Sequence, residues 1–168
     1  MGNHNRKNIH KLTLLSILTS LALILSYVEA VLPPIFSAVP GIKLGFPNIL
    51  IIFILYRMGI REAFAVSFVR LVLSALLFGN PITFIYSFAG AFLSLTVMAI
   101  LKKTDLLSTV GVSIAGGILH NLGQILVAMF LLGTAEIGYY MVILAFTGTL
   151  AGFFIGLCGA FLIRRFSF

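Results

Sequence analysis

The chain alternates long apolar blocks with short polar breaks, and the blocks set the expected elements. Leu12 to Leu32 is a first apolar segment, long enough to span a bilayer as a helix. Glu62 to Phe78, Ile82 to Leu101, Thr109 to Leu132 and Tyr139 to Ile163 predict a third, fourth, fifth and sixth helix. Gly79-Asn80-Pro81, Lys102 to Asp105 and Gly133 to Gly138 form the turns between them. Between the first and third helices the pattern breaks, because Val31 to Asn48 holds Pro33, Pro34, Pro40 and Pro47 with Gly41 and Gly45. No continuous helix tolerates that composition, so 33–47 reads as a cap or re-entrant loop. Asn48 to Met58 alone reaches only about half a span, so the second helix is expected to begin near Ile42 and to carry Pro47 in an early turn or kink. An interrupted segment at membrane depth survives only where protein or water satisfies its backbone, which points to a site; chance irregularity is the competing reading.

Polar residues inside the blocks fall on stripes. Ser113, Gly116, Gly117, His120 and Gln124 share one face of the fifth helix at helical spacing, with Asn121 turned about 100° from His120. Ser67, Arg70 and Ser74 share a face of the third helix, and Thr83, Ser87, Gly90 and Ser94 a face of the fourth. Such stripes face a bundle interior or a cavity, because lipid offers them no hydrogen-bond partner. Gly148, Gly152, Gly156 and Ala160 form a small-residue ridge on the sixth helix, for which close helix packing is the simpler explanation.

Composition turns these blocks into a membrane protein. Of 168 residues 61% are hydrophobic and only 9% charged, and the mean hydropathy is +1.19. A soluble domain carries about a quarter charged residues. The expected fold is therefore all-α, a single six-helix membrane domain over 12–168 after a polar tail, 1–11. A net charge of +7 could suggest nucleic acid, but the basic residues stand in ones to threes beside apolar runs. Arg6, Lys7, Lys11, Arg57, Arg61, Lys102, Lys103, Arg164 and Arg165 fall on one side of a six-helix topology, and only Lys43 falls on the other. That asymmetry predicts a multi-pass protein of the cell membrane with both termini cytoplasmic and the 33–47 loop outside. The basic start and Val28-Glu29-Ala30 loosely resemble a cleaved signal, but Glu29 is unusual at such a site and the apolar run is too long.

Candidate chemistry is sparse. Cys158 is the only cysteine, so no internal disulfide forms, and no phosphate-binding loop of the G-x-x-x-x-G-K-[ST] type exists to drive an ATPase. His120 is the only histidine in the membrane blocks, and the only aspartate, Asp105, lies in a turn; neither a bis-histidine haem nor a Ser-His-Asp triad is available. No metal or cofactor is expected. Arg70 stands out, because a charge in mid-helix needs a polar interior and a partner. Among the four acids Glu29 is the plausible counter-ion, and a purely structural Arg70 to Glu29 pair competes with ligand binding by Arg70.

The block Pro40-Gly-Ile-Lys-Leu-Gly-Phe-Pro-Asn48, then Arg70 with Leu77-Phe-Gly-Asn-Pro81, then Gly116-Gly-Ile-Leu-His-Asn-Leu-Gly-Gln124, resembles the Gx transporter family, also labelled heptaprenyl diphosphate synthase component I. That family is similar to the substrate-binding S components of energy-coupling factor (ECF) transporters. The resemblance covers nearly all the chain after Lys11. It implies a six-helix subunit that takes a small vitamin-like molecule from outside beneath its first loop, with a separate transmembrane coupling protein and ATPases supplying energy. Many S components carry an Ala-x-x-x-Ala contact on the first helix; this chain has Ala22, Ser26 and Ala30, or Ser16 and Ser20.

The function expected on this basis is membrane binding and uptake of a vitamin-like, flavin-, isoprenoid- or quinone-related molecule, without enzymatic activity. Lys43 and Asn48 would supply loop contacts, Arg70, His120, Asn121 and Gln124 polar contacts from two helices, and Tyr86 a stacking surface. The alternative is a noncatalytic membrane subunit of heptaprenyl diphosphate synthesis or of quinone- or flavin-linked electron transfer. A chain with one aspartate lacks the aspartate clusters that hold magnesium on a diphosphate in prenyl elongation. A third reading, an ion-coupled carrier, depends on Glu29.

Overall fold

Helix boundaries in the computed structural model, which describes residues 2–32 and 45–166, follow local capping chemistry. The six α-helices are α1 (Gly2–Val31), α2 (Asn48–Arg57), α3 (Ile60–Leu77), α4 (Pro81–Thr104), α5 (Thr109–Leu132) and α6 (Met141–Arg165), with a short 3-10 helix, Glu136–Tyr140, leading into α6. Asn80 caps α4 by accepting from the Thr83 amide at 2.8 Å while the Thr83 hydroxyl accepts from the Asn80 amide, with Pro81 in the first turn. Ser108 accepts from the Gly111 amide at the start of α5, and Gly133, at φ +65°, ends that helix in the left-handed conformation.

Four segments, Asn8–Val31, Pro81–Thr104, Thr109–Leu132 and Glu136–Arg165, are long and apolar enough to cross a membrane. These make the chain a multi-pass membrane protein. Helix α3 has 18 residues and carries Arg61, Glu62 and Arg70. Helix α1 starts at Gly2, so the polar residues before Leu12 extend the first helix instead of standing apart as a tail.

Helix α2 departs most from expectation. It begins at Asn48, not near Ile42, because Gly45 at φ +84° interrupts the helical path and Pro47 stands at the N-cap. At ten residues it is about 15 Å long, half of the hydrocarbon thickness. Leu50, Ile51, Ile52, Phe53, Ile54 and Leu55 are all buried, so α2 is enclosed on every side. Around it pack Leu18 and Ala22 of α1, Ala63 and Val66 of α3, Leu95 and Met98 of α4, and Val112 of α5.

Helices α4, α5 and α6 form the tightest part of the bundle, with backbone meeting backbone. A Cβ added at Gly123 would lie 2.7 Å from the Ala89 carbonyl oxygen, and one at Gly90 the same distance from that of His120. On the other side of α5, a Cβ at Gly152 would lie 2.7 Å from the Ser113 carbonyl oxygen and one at Gly156 2.9 Å from the Val110 Cα. The glycine ridge of α6 is thus a packing surface for α5.

At one end of the bundle, basic side chains join neighbouring helices. Lys11 pairs with Glu62 at 2.5 Å, Arg57 donates to the Ile163 carbonyl, and Lys102 donates to the Leu55 carbonyl at 2.6 Å while lying 5.2 Å from the Tyr56 ring centroid. Lys102 completes the C-terminal turn of α2, where carbonyls lack helical partners. Lys102→Met is expected to lower unfolding stability in detergent by about 1 kcal/mol; an unchanged unfolding curve would show that this cap contributes nothing.

Candidate functional site

Polar residues of four helices gather near the start of α2. A cavity of about 20 Å³ lies where the chain enters α2, bounded by Gly45 and Asn48. Ser26 and Glu29 of α1 form one wall, Arg70, Leu71 and Ser74 of α3 another, and Ser87 of α4 and His120 of α5 complete it. By volume it holds about one water, so any larger ligand requires its walls to separate.

Arg70 is the central charge. It is 6% exposed, and its Nη1 donates to Ser26 Oγ at 3.1 Å. Ser26 donates its own hydroxyl proton to the Ala22 carbonyl at 2.9 Å, which leaves its oxygen lone pairs for the guanidinium. The Arg70 Nε is buried with no hydrogen-bond partner among the described residues. Glu29 on the facing wall accepts from the Gly45 amide, and its charge acts on Arg70. That hydrogen bond fastens the end of α1 to the turn before α2. The amides of Asn48, Ile49 and Leu50 are taken by the carbonyls of Gly45, Phe46 and Pro47, so the start of α2 offers them no ligand.

The expected site residues divide by helix face. Asn48, Arg70 and His120 meet at the cavity. His120 fits because Gly90 of α4 leaves room: a Cβ there would come within 3.1 Å of the His120 Cε1. Asn121, a residue further round α5, turns to α6 and donates to the Leu144 carbonyl at 2.7 Å. Gln124 is fully buried against α4, with its Cγ 3.0 Å from where a Gly90 Cβ would sit. Tyr86 is buried with Ala128, Val127 and Ile137, and it does not border this cavity. Lys43 lies outside the described residues.

Ser26, Glu29, Gly45, Leu71, Ser74 and Ser87 join the site without having been among the expected ligand residues. Ser74 and Ser87 carried a signal, since each lies on a polar stripe, and Glu29 stood out as the acid available to Arg70. Gly45 carried none, because its place depends on how the chain turns into α2. Among the described residues, no group of three or more His, Cys, Asp or Glu side chains could hold a metal ion.

A family model described as heptaprenyl diphosphate synthase component I matches residues 18–162. The chain belongs to that family. No curated protein and no solved structure matches it. The matched span runs through every residue that borders the cavity, from Ser26 to His120, so the site lies within the part that defines membership in the component I family.

Proposed function

We propose that the chain is the substrate-binding subunit of an uptake system, receiving a small vitamin-like, flavin-, isoprenoid- or quinone-related molecule in the cavity at the start of α2 and relying on partner proteins for energy. The observation that carries this reading is that the two buried charges among the described residues, Arg70 and Glu29, lie together with serines and a histidine around one cavity. Packing alone does not call for such a set, because each buried charge in a membrane interior carries a cost that apolar side chains avoid. The basic end of the bundle faces the cytoplasm on this reading, with both termini inside and the cavity toward the outer surface. The subunit is not itself an enzyme.

By resemblance to the ECF S components, the partners are a transmembrane coupling protein and ATPases. The first helix then offers only one small-residue pair for docking. Ala22 and Ser26 face inward, with Ser26 committed to Arg70, whereas Ser16 and Ser20 are exposed and satisfy their hydroxyls on carbonyls of their own helix. Ser20→Phe is expected to leave the protein folded and to reduce capture of the coupling protein at least tenfold. Capture equal to the parent's would move the docking face elsewhere.

The family description favours a second reading, a noncatalytic membrane partner in heptaprenyl diphosphate synthesis. Affinity capture of the tagged protein from its own membranes separates the two. A coupling protein and ATPases among the captured chains support uptake; a prenyl synthase catalytic subunit without them supports the second reading.

A further inference from the structure

The cavity lies at the start of α2 and the basic residues gather at its end, where the few acids of the chain answer them unevenly. Glu62 pairs with Lys11 and also feels the charge of Arg61. Asp105 caps α4 directly after its last-turn lysines, Lys102 and Lys103. The other two acids in the sequence are elsewhere: Glu29 borders the cavity, and Glu136 lies in the 3-10 helix at the opposite end of α6 from Arg164 and Arg165. The Arg57 Nη2 donates to the Ile163 carbonyl, which sets its guanidinium beside the last turn of α6, where Arg164 and Arg165 follow. All three arginines are exposed, and none forms an ion pair among the described residues. Ser167 and Phe168 add no acidic side chain, so even a backbone carboxylate there would leave this group net positive.

The cluster stands at the end of a helix long and apolar enough to cross the membrane, where lipid headgroups are its neighbours. Leu157 and Phe161 precede Arg165 on the same face of α6 at four-residue steps, 46% and 67% exposed. One kind of molecule uses both features. Guanidinium groups hold phosphate oxygens through paired N–H donors, and Arg57 has commitments for only part of its five. An acyl chain would cover the apolar stripe, which a dissolved anion or an acidic protein surface would leave unused. We propose that Arg57, Arg164 and Arg165 form a site for the headgroup of an anionic phospholipid, with an acyl chain lying along Phe161 and Leu157. This site is separate from the cavity and independent of what the cavity binds.

Phosphatidylglycerol and phosphatidylcholine with the same dioleoyl chains test the proposal, because both carry a phosphodiester and only the first is net anionic. Thermal unfolding of the protein in a nonionic detergent is followed across a concentration series of each. Phosphatidylglycerol is expected to produce a given upward shift at about one tenth of the phosphatidylcholine concentration or less. Arg164→Gln/Arg165→Gln is expected to bring the two series within about twofold of one another, since two of the three headgroup cations are gone. Lys103→Gln removes an exposed cation of α4 and should keep the parent's preference. If the double variant does not fold, Arg164→Gln and Arg165→Gln are measured singly, each expected to lose about threefold of the preference or more. Inorganic phosphate at the same concentrations is expected to produce no shift. Equal responses to the two lipids in the parent overturn the proposal and leave the arginines to an acidic protein partner. A phosphate response equal to that of phosphatidylglycerol would mean an anion site without a lipid, and overturns it as well. Preference that survives in the arginine variants, or that Lys103→Gln removes equally, overturns the assignment to these three residues.

Discussion

Gly117→Leu is expected to abolish recovery of monodisperse protein. A Cβ at Gly117 would lie 2.3 Å from the Gly148 carbonyl oxygen, and the other two nearest atoms are also α6 backbone, in Gly148 and Gly152. No side-chain rotation relieves that contact, so α5 and α6 must separate. Separation would break the facing contacts of Gly148, Gly152 and Gly156 together with the Asn121 bond to Leu144. Overpacking at such a seam costs about 3 kcal/mol or more, and without a hydrophobic drive between helices in lipid no other term compensates. Size-exclusion profiles of the detergent extract read the effect. Gly138→Ala is the matched control: its new methyl would meet only Met129 side-chain atoms at 3.8 Å and 3.9 Å, and it should behave as the parent. A normal profile for Gly117→Leu would mean that α5 and α6 are not in backbone contact.

The second large effect is expected at Arg70. Arg70→Met keeps most of the side-chain volume and removes a buried cation on which the charge of Glu29 acts. Removing one of two interacting buried charges costs up to about 3–5 kcal/mol. Arg70→Met/Glu29→Gln is therefore expected to be more stable than Arg70→Met alone, although it carries an additional substitution. A double-mutant cycle on unfolding in detergent measures the coupling, expected to be at least about 1 kcal/mol. Strict additivity would show that the two charges act independently.

Elements with local stop and start signals were legible from sequence. Helix α5 has the expected bounds because Ser108 and Gly133 cap it, and α4 starts one residue early because Asn80, Pro81 and Thr83 build a capping box. Helix α2 was not legible, since its start depends on a left-handed Gly45 and on the Glu29 bond to that residue's amide, a contact sixteen residues apart. The site shows the same limit. Periodicity placed Arg70, Ser74, Ser87 and His120 on inward faces, and the structure brings them together. It could not divide the inward faces of α5, a helix packed on both sides. His120 faces the cavity, whereas Asn121 serves the seam with α6 and Gln124 that with α4. Tyr86 is separated from Ser87 by a single step in sequence and by about 100° in space, enough to take it from the cavity to the Ala128 contact.

Native mass spectrometry of the gently extracted protein, before and after collisional release, tests the binding-subunit reading most directly. The expected spectrum shows protein carrying one small molecule that is released on activation. Lys102→Met, remote from the cavity, should retain that molecule, and Ser87→Leu, which fills part of the cavity, should lose it. A parent protein whose mass is that of the chain alone, and remains so after exposure to cell extract, would contradict the reading.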